Sequence, residues 1–109
     1  MAVELNKVLE CVNKARAALG KDPLDKMPKG YIGSATLCPI AQAFDCEATA
    51  CDMLVTFEDT EDAKKVAKAW SRRCNKYGEI GVPIIIRQFI DEFDERLFPE
   101  LAYRAYFQN

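Results

Sequence analysis

The chain has 109 residues, 50% of them hydrophobic, with 15 basic and 17 acidic side chains, a net charge of -2 and no histidine. That is enough apolar material for one packed domain, and the near balance of charge supplies no global attraction to nucleic acid, which usually calls for a basic surplus. Without histidine, ordinary serine triads and phosphohistidine transfer are excluded, and a cysteine hydrolase, which generally needs a histidine or an equivalent base, is disfavoured.

The opening "MAVELNKVLECV" interrupts its apolar residues with Glu4, Asn6, Lys7 and Glu10, so it reads as mature structure and not as a secretion signal. The longest apolar run, "GVPIII", falls far short of the roughly 18 residues of a membrane span. Cys11, Cys38, Cys46, Cys51 and Cys74 are an odd number of cysteines. Reduced thiols in a cytoplasmic setting are the expectation, not a disulfide framework.

Residues 2–19 place Leu5, Val8, Leu9, Val12, Ala15 and Leu19 on one helical face. Gly20 suits the position just past the helix end, and Pro23 prevents continuation. Three turn signals, "GKDP", "MPKG" and "YIGS", make residues 20–36 a long irregular loop. Pro39 then starts a short helix reaching about Phe44, with Cys38 as its N-cap. Residues 48–57 alternate Met53, Val55 and Phe57 against Asp52, Leu54 and Thr56 and read as a strand. Its partner is left open among residues 31–36, residues 46–50 turned back on it, and a second copy of the chain.

"EDTEDAKKVAKAWSRRCNKYG" reads as one helix stopped at Gly78, acidic at its start, basic at its end, and apolar along Ala63, Val66, Ala67, Trp70 and Cys74. From Pro83 a further helix sets Ile86, Phe89, Ile90, Phe93 and Leu97 at spacings of three and four. Pro99 breaks or restarts it, leaving an aromatic tail over residues 99–109. The expected fold is α+β and mostly helical, with four to five helices and one short β-strand or hairpin. It forms a single domain over residues 1–109 with at most one layer of sheet.

"CPIA" puts Cys38 at a helix start, where amide hydrogens favour a thiolate. Together with "GVPIII" it resembles thioredoxin-like proteins, which place a Cys-Pro pair at a helix start after a strand and a Val-Pro near the active site. The resemblance covers two short fragments and implies a reactive Cys38. The family's second cysteine position is filled by Ala41, and residues 84–97 carry helical spacing where that family has a strand and a glycine turn. The reading adopted for Cys38 is a buried, inert helix cap.

Cys38, Cys46, Cys51 and Cys74 lack the close pairing of a structural zinc site, so no metal or cofactor is expected. Lys64, Lys65, Lys68, Arg72 and Lys76 form a basic stripe on the outside of the long helix. A solvated flank or a partner-binding face both fit it. Nucleic acid is the less favoured partner, because no aromatic interleaves the stripe. Tyr103, Tyr106 and Phe107 give the tail the composition of an interface centre. The expected function is that of a small cytoplasmic, non-catalytic protein acting by protein–protein contact: an adaptor, regulator or inhibitor, including the kind carried by mobile elements. Self-association as a homodimer is part of this reading. The alternatives are a thiol-dependent redox enzyme or sensor using Cys38 and a nucleic-acid accessory protein using the stripe.

Overall fold

The computed structural model describes residues 2–51 and 53–103. The apolar spacing read along the first helix is realised as α1, Leu5–Ala18, which buries Val8, Val12 and Ala15. Pro39 opens α2, Pro39–Ala43, with Cys38 at its N-cap. Residues 48–57 form a hairpin, β1 at Ala48–Ala50 and β2 at Leu54–Phe57. The Cys51 amide donates to the Leu54 carbonyl at 2.9 Å and closes its turn. Of the pairings open to the strand, residues 46–50 turned back on it is therefore the one found. Met53, placed by the alternation on one side with Val55 and Phe57, sits in this turn and is 59% exposed.

After β2 comes α3, Thr60–Ala69, whose N-cap Asp59 accepts hydrogen bonds from the amides of Glu61 and Asp62. A third strand, β3 at Glu79–Gly81, pairs antiparallel with β2 and makes the sheet order β1-β2-β3. Three residues between Gly78 and Val82 are too few for an alternation to be visible, so this strand was not foreseen. Helix α4, Ile84–Asp94, buries Ile86, Phe89, Ile90 and Phe93. Leu97 lies past its end and is 50% exposed. Pro99–Leu101 forms a single 3-10 turn.

All four α-helices among the described residues end alike. The residue after each C-cap has a left-handed backbone: Gly20 (φ 75°), Asp45 (56°), Ser71 (55°) and Arg96 (67°). The next amide then reaches back to a carbonyl of the last turn, Lys21 to Arg16, Cys46 to Ala41, Arg72 to Ala67 and Leu97 to Glu92, at 2.7–3.0 Å. This is the Schellman arrangement, which satisfies carbonyls that the helix itself leaves unpaired. It corrects the reading of the third helix, which stops at Ala69 and not at Gly78. Arg72, Cys74 and Lys76 consequently lie beyond α3, in its connection to β3.

The helices cover one face of the sheet. Ala48, Ala50, Val55, Phe57 and Ile80 turn inward. Phe44 meets Phe57 and Trp70 edge-on, with ring centroids 5.4 and 6.1 Å apart. Trp70 is buried as its stripe implied, and its indole N–H donates to the Cys11 carbonyl at 2.9 Å. The result is an α+β domain with one layer of sheet. Both sheet edges are partly occupied by the chain itself: the Ala50 amide donates to the Ala35 carbonyl at 2.8 Å, and Cys74 bridges Ile80.

Residues 20–36 remain an irregular connection, anchored in the middle. The Gly30 amide donates to the Leu101 carbonyl and its carbonyl accepts from the Tyr103 amide, at 2.8 and 3.1 Å. A side chain at Gly30 would come within 2.4 Å of the Pro39 nitrogen, so only glycine lets the loop pass this close to the start of α2. Among the described residues, no helix is long and apolar enough to cross a membrane.

Candidate functional site

Cys38 is 4% exposed. Its extended backbone caps α2, but its side chain makes no capping bond, and the thiol instead faces the Ala50 carbonyl at 3.9 Å. Burial pushes the thiol up from its ordinary range. The amides of Ala41 and Ile40 pull the other way, and the negative charge of Asp94 adds to the rise. The desolvation of the sulfur outweighs the helix start, so the group is held as a neutral thiol. Over it lies a groove of about 330 Å³ bordered by Ser34, Cys51, Asp91 and Asp94. These acids repel a thiolate, whereas an activated cysteine needs a cation or a base beside it.

The segment before Cys38 forms turns and no strand, and the residues after Pro83 form α4. The structure keeps the Cys-Pro pair at a helix start but has neither the strand before it nor the strand after Val-Pro that thioredoxin-like proteins carry. Among the described residues, no three histidine, cysteine, aspartate or glutamate side chains gather as metal ligands.

The tail residue Tyr103 is 40% exposed and lies against Tyr31, with ring centroids 4.8 Å apart and planes tilted by 37°. The Tyr31 amide donates to the Leu37 carbonyl at 2.9 Å, and Leu37 is itself exposed. Two chain segments far apart in sequence thus bring Tyr31 and Tyr103 together, with the exposed Leu37 tied to Tyr31 through the backbone. Tyr106 and Phe107, the other tail residues read as partner-binding, lie outside the described residues. Tyr31 and Leu37 were missed because they sit in turn-rich sequence with no periodicity. Only the pairing of Gly30 with Ala102 makes them neighbours of the tail.

Compared with family models, with curated proteins and with solved structures, the chain finds no match. Its surfaces therefore have to be read from their own chemistry. Lys64, Lys65 and Lys68 project from α3 opposite its buried Ala63, Val66 and Ala67. Arg72 follows on the connection to β3, so the stripe is not one helical face. It turns a corner at Ser71. Lys64 pairs with Glu61 at 3.1 Å, while Lys65, Lys68 and Arg72 form no ion pair among the described residues.

Proposed function

We propose that this is a non-catalytic contact protein whose protein partner docks on the surface carrying Tyr31, Leu37 and Tyr103. The observation that carries the reading is the tilted ring pair of half-buried Tyr31 and exposed Tyr103 at the surface. Rings with an apolar body and a polar tip are the side chains that anchor interface centres. Held by backbone bonds on both strands of the chain, they lose little freedom on binding. The burial of Cys38 beside acidic groups supports the same reading from the other side, since it removes the sharpest nucleophile in the sequence. The setting is cytoplasmic, a reading supported by five free cysteines, which a reducing compartment keeps as thiols.

The test compares wild-type protein with Tyr31→Ala, Tyr103→Ala and the double variant as baits in the source cell, and identifies captured proteins by mass spectrometry. A partner retained by wild type and lost by the double variant, with circular dichroism unchanged, supports the proposal. Capture that ignores both tyrosines refutes it. Light scattering over a range of concentrations separates a second copy of the chain from a different protein as the occupant.

A further inference from the structure

The sequence segregates its charge. Between Ala63 and Gly78 it carries six basic side chains and no acid, which leaves nine basic and 17 acidic residues for the remainder. The structure concentrates the basic segment further. Arg72, Arg73 and Lys76 are exposed on the connection from α3 to β3, beside Lys65 and Lys68 on the outer face of α3. None of these five forms an ion pair among the described residues. The cleft against Trp70 and Ser71 brings Lys7 and Lys14 of α1 to the same corner, with Glu10 as its one acid.

At the tip of this connection stands Tyr77, 66% exposed, with the Lys76 ammonium 5.2 Å from its ring centre. The tip is rigidly built. Asn75 accepts from the amides of Tyr77 and Glu79 at 2.9 and 3.0 Å and donates to the Glu79 carboxylate at 2.7 Å. The bridge between Cys74 and Ile80 closes the base. The aromatic interleaving missing from the helical stripe is therefore supplied by the turn.

From this we infer that the α3–β3 corner is a binding site for single-stranded polynucleotide, the cations following the phosphates and Tyr77 stacking on a base. The composition distinguishes this ligand from an acidic protein. Centres of protein interfaces are depleted in lysine and built from several apolar groups, whereas this surface is lysine and arginine around one open ring. Cationic tracks with exposed aromatic platforms are the recurring means of holding unpaired strands. A duplex hides its base faces and leaves Tyr77 nothing to stack on. The site lies on elements other than those carrying Tyr31 and Tyr103, and it stands independently of the protein-contact reading.

Fluorescence anisotropy with labelled oligo-dT and oligo-U tests it, over a salt series with the intact chain. Wild type should bind at least one strand, with a log–log salt slope of roughly -3.5 for five phosphate contacts. Tyr77→Ala should weaken binding by about tenfold, and Tyr77→Phe, which keeps the ring, should not. Arg72→Glu with Arg73→Glu should abolish binding, whereas the control Lys26→Glu with Lys29→Glu should retain it. Circular dichroism confirms that each variant is folded. Failure of both strands to bind overturns the proposal. So does binding insensitive to Tyr77→Ala and matched by heparin or duplex, since that would make the corner a general polyanion surface. Partner capture by the Tyr31–Tyr103 surface, scored with the same Arg72 and Arg73 variant, reports separately on the protein-contact reading.

Discussion

The Arg72 amide donates to the Ala67 carbonyl at 2.7 Å across a left-handed Ser71. This bond ends α3 and turns the chain so that Arg72 leaves the helix. A β-carbon in the left-handed region costs roughly 1–2 kcal/mol, and glycine escapes that cost while adding some freedom to the unfolded chain. We therefore expect Ser71→Gly to stabilise the protein by about 0.5–1 kcal/mol, read as a higher urea midpoint at an unchanged slope. Destabilisation by Ser71→Gly would show that the serine side chain, and not the backbone turn, holds the corner.

The same turn marks where the sequence was legible. Apolar spacing placed α1, α3 and α4, because burial of one face is what sustains each of them, and Pro39 placed α2. The end of α1 was visible as well, since its left-handed residue is Gly20. At Asp45, Ser71 and Arg96 the same turn is made by residues that advertise no such backbone, and so α3 was read through to Gly78. The corner carrying Tyr77 was lost with that one error, while β3 went unseen because it is only three residues long. Cys38 was legible as a buried cap because proline fixes the helix start and the flanking residues are apolar. Its neighbour Asp94 was not, because it arrives from α4 through tertiary packing.

Two thiols make the protein sensitive to alkali. Burial raises Cys11 from the ordinary 9.0 to about 11, with Lys14 pulling weakly the other way, and Cys38 moves in the same direction. An unfolded chain releases these protons near pH 9, while the folded chain keeps them longer. The stabilising contribution is therefore complete below pH 9 and falls away towards about 11. Urea midpoints measured across that range should decline for wild type and decline less for Cys11→Ala with Cys38→Ala. At neutral pH, alkylation should reach the exposed Cys46 and Cys51 well before Cys38; equal rates would contradict the inert cap.

Gly30 couples the long loop to the contact surface. Its added β-carbon would meet backbone atoms of Cys38 and Pro39 at 2.4–2.5 Å, and backbone cannot rotate aside. Gly30→Ala should cost about 2 kcal/mol. It should also loosen the pairing that sets Tyr31 against Tyr103, so partner capture should fall even where the protein remains folded. Loss of stability with full capture would separate the loop anchor from the surface.

Arg16 is the buried charged side chain of the described residues, 7% exposed. It donates from Nε to the Asp22 carbonyl at 2.8 Å and from Nη1 to the Ala43 carbonyl at 2.7 Å, tying α1 to the loop and to the end of α2. Asp45 lies 3.7 Å away, but its carboxylate is 55% exposed and is engaged more closely by Lys21 at 2.7 Å. Two fixed donors aimed at two carbonyls are a guanidinium's task, which a single ammonium cannot match. We expect Arg16→Lys to cost about 2 kcal/mol, because it leaves a buried carbonyl unpaired. Asp45→Asn should cost under about 1 kcal/mol, as solvent already screens that pair. The Lys21 bond holds the Asp45 carboxyl below its ordinary 3.8, so this smaller share is present above that pH and lost as acid is added. Urea unfolding of both variants at neutral pH decides the matter: if Asp45→Asn costs as much as Arg16→Lys, the ion pair and not the carbonyl bonds is what Arg16 supplies.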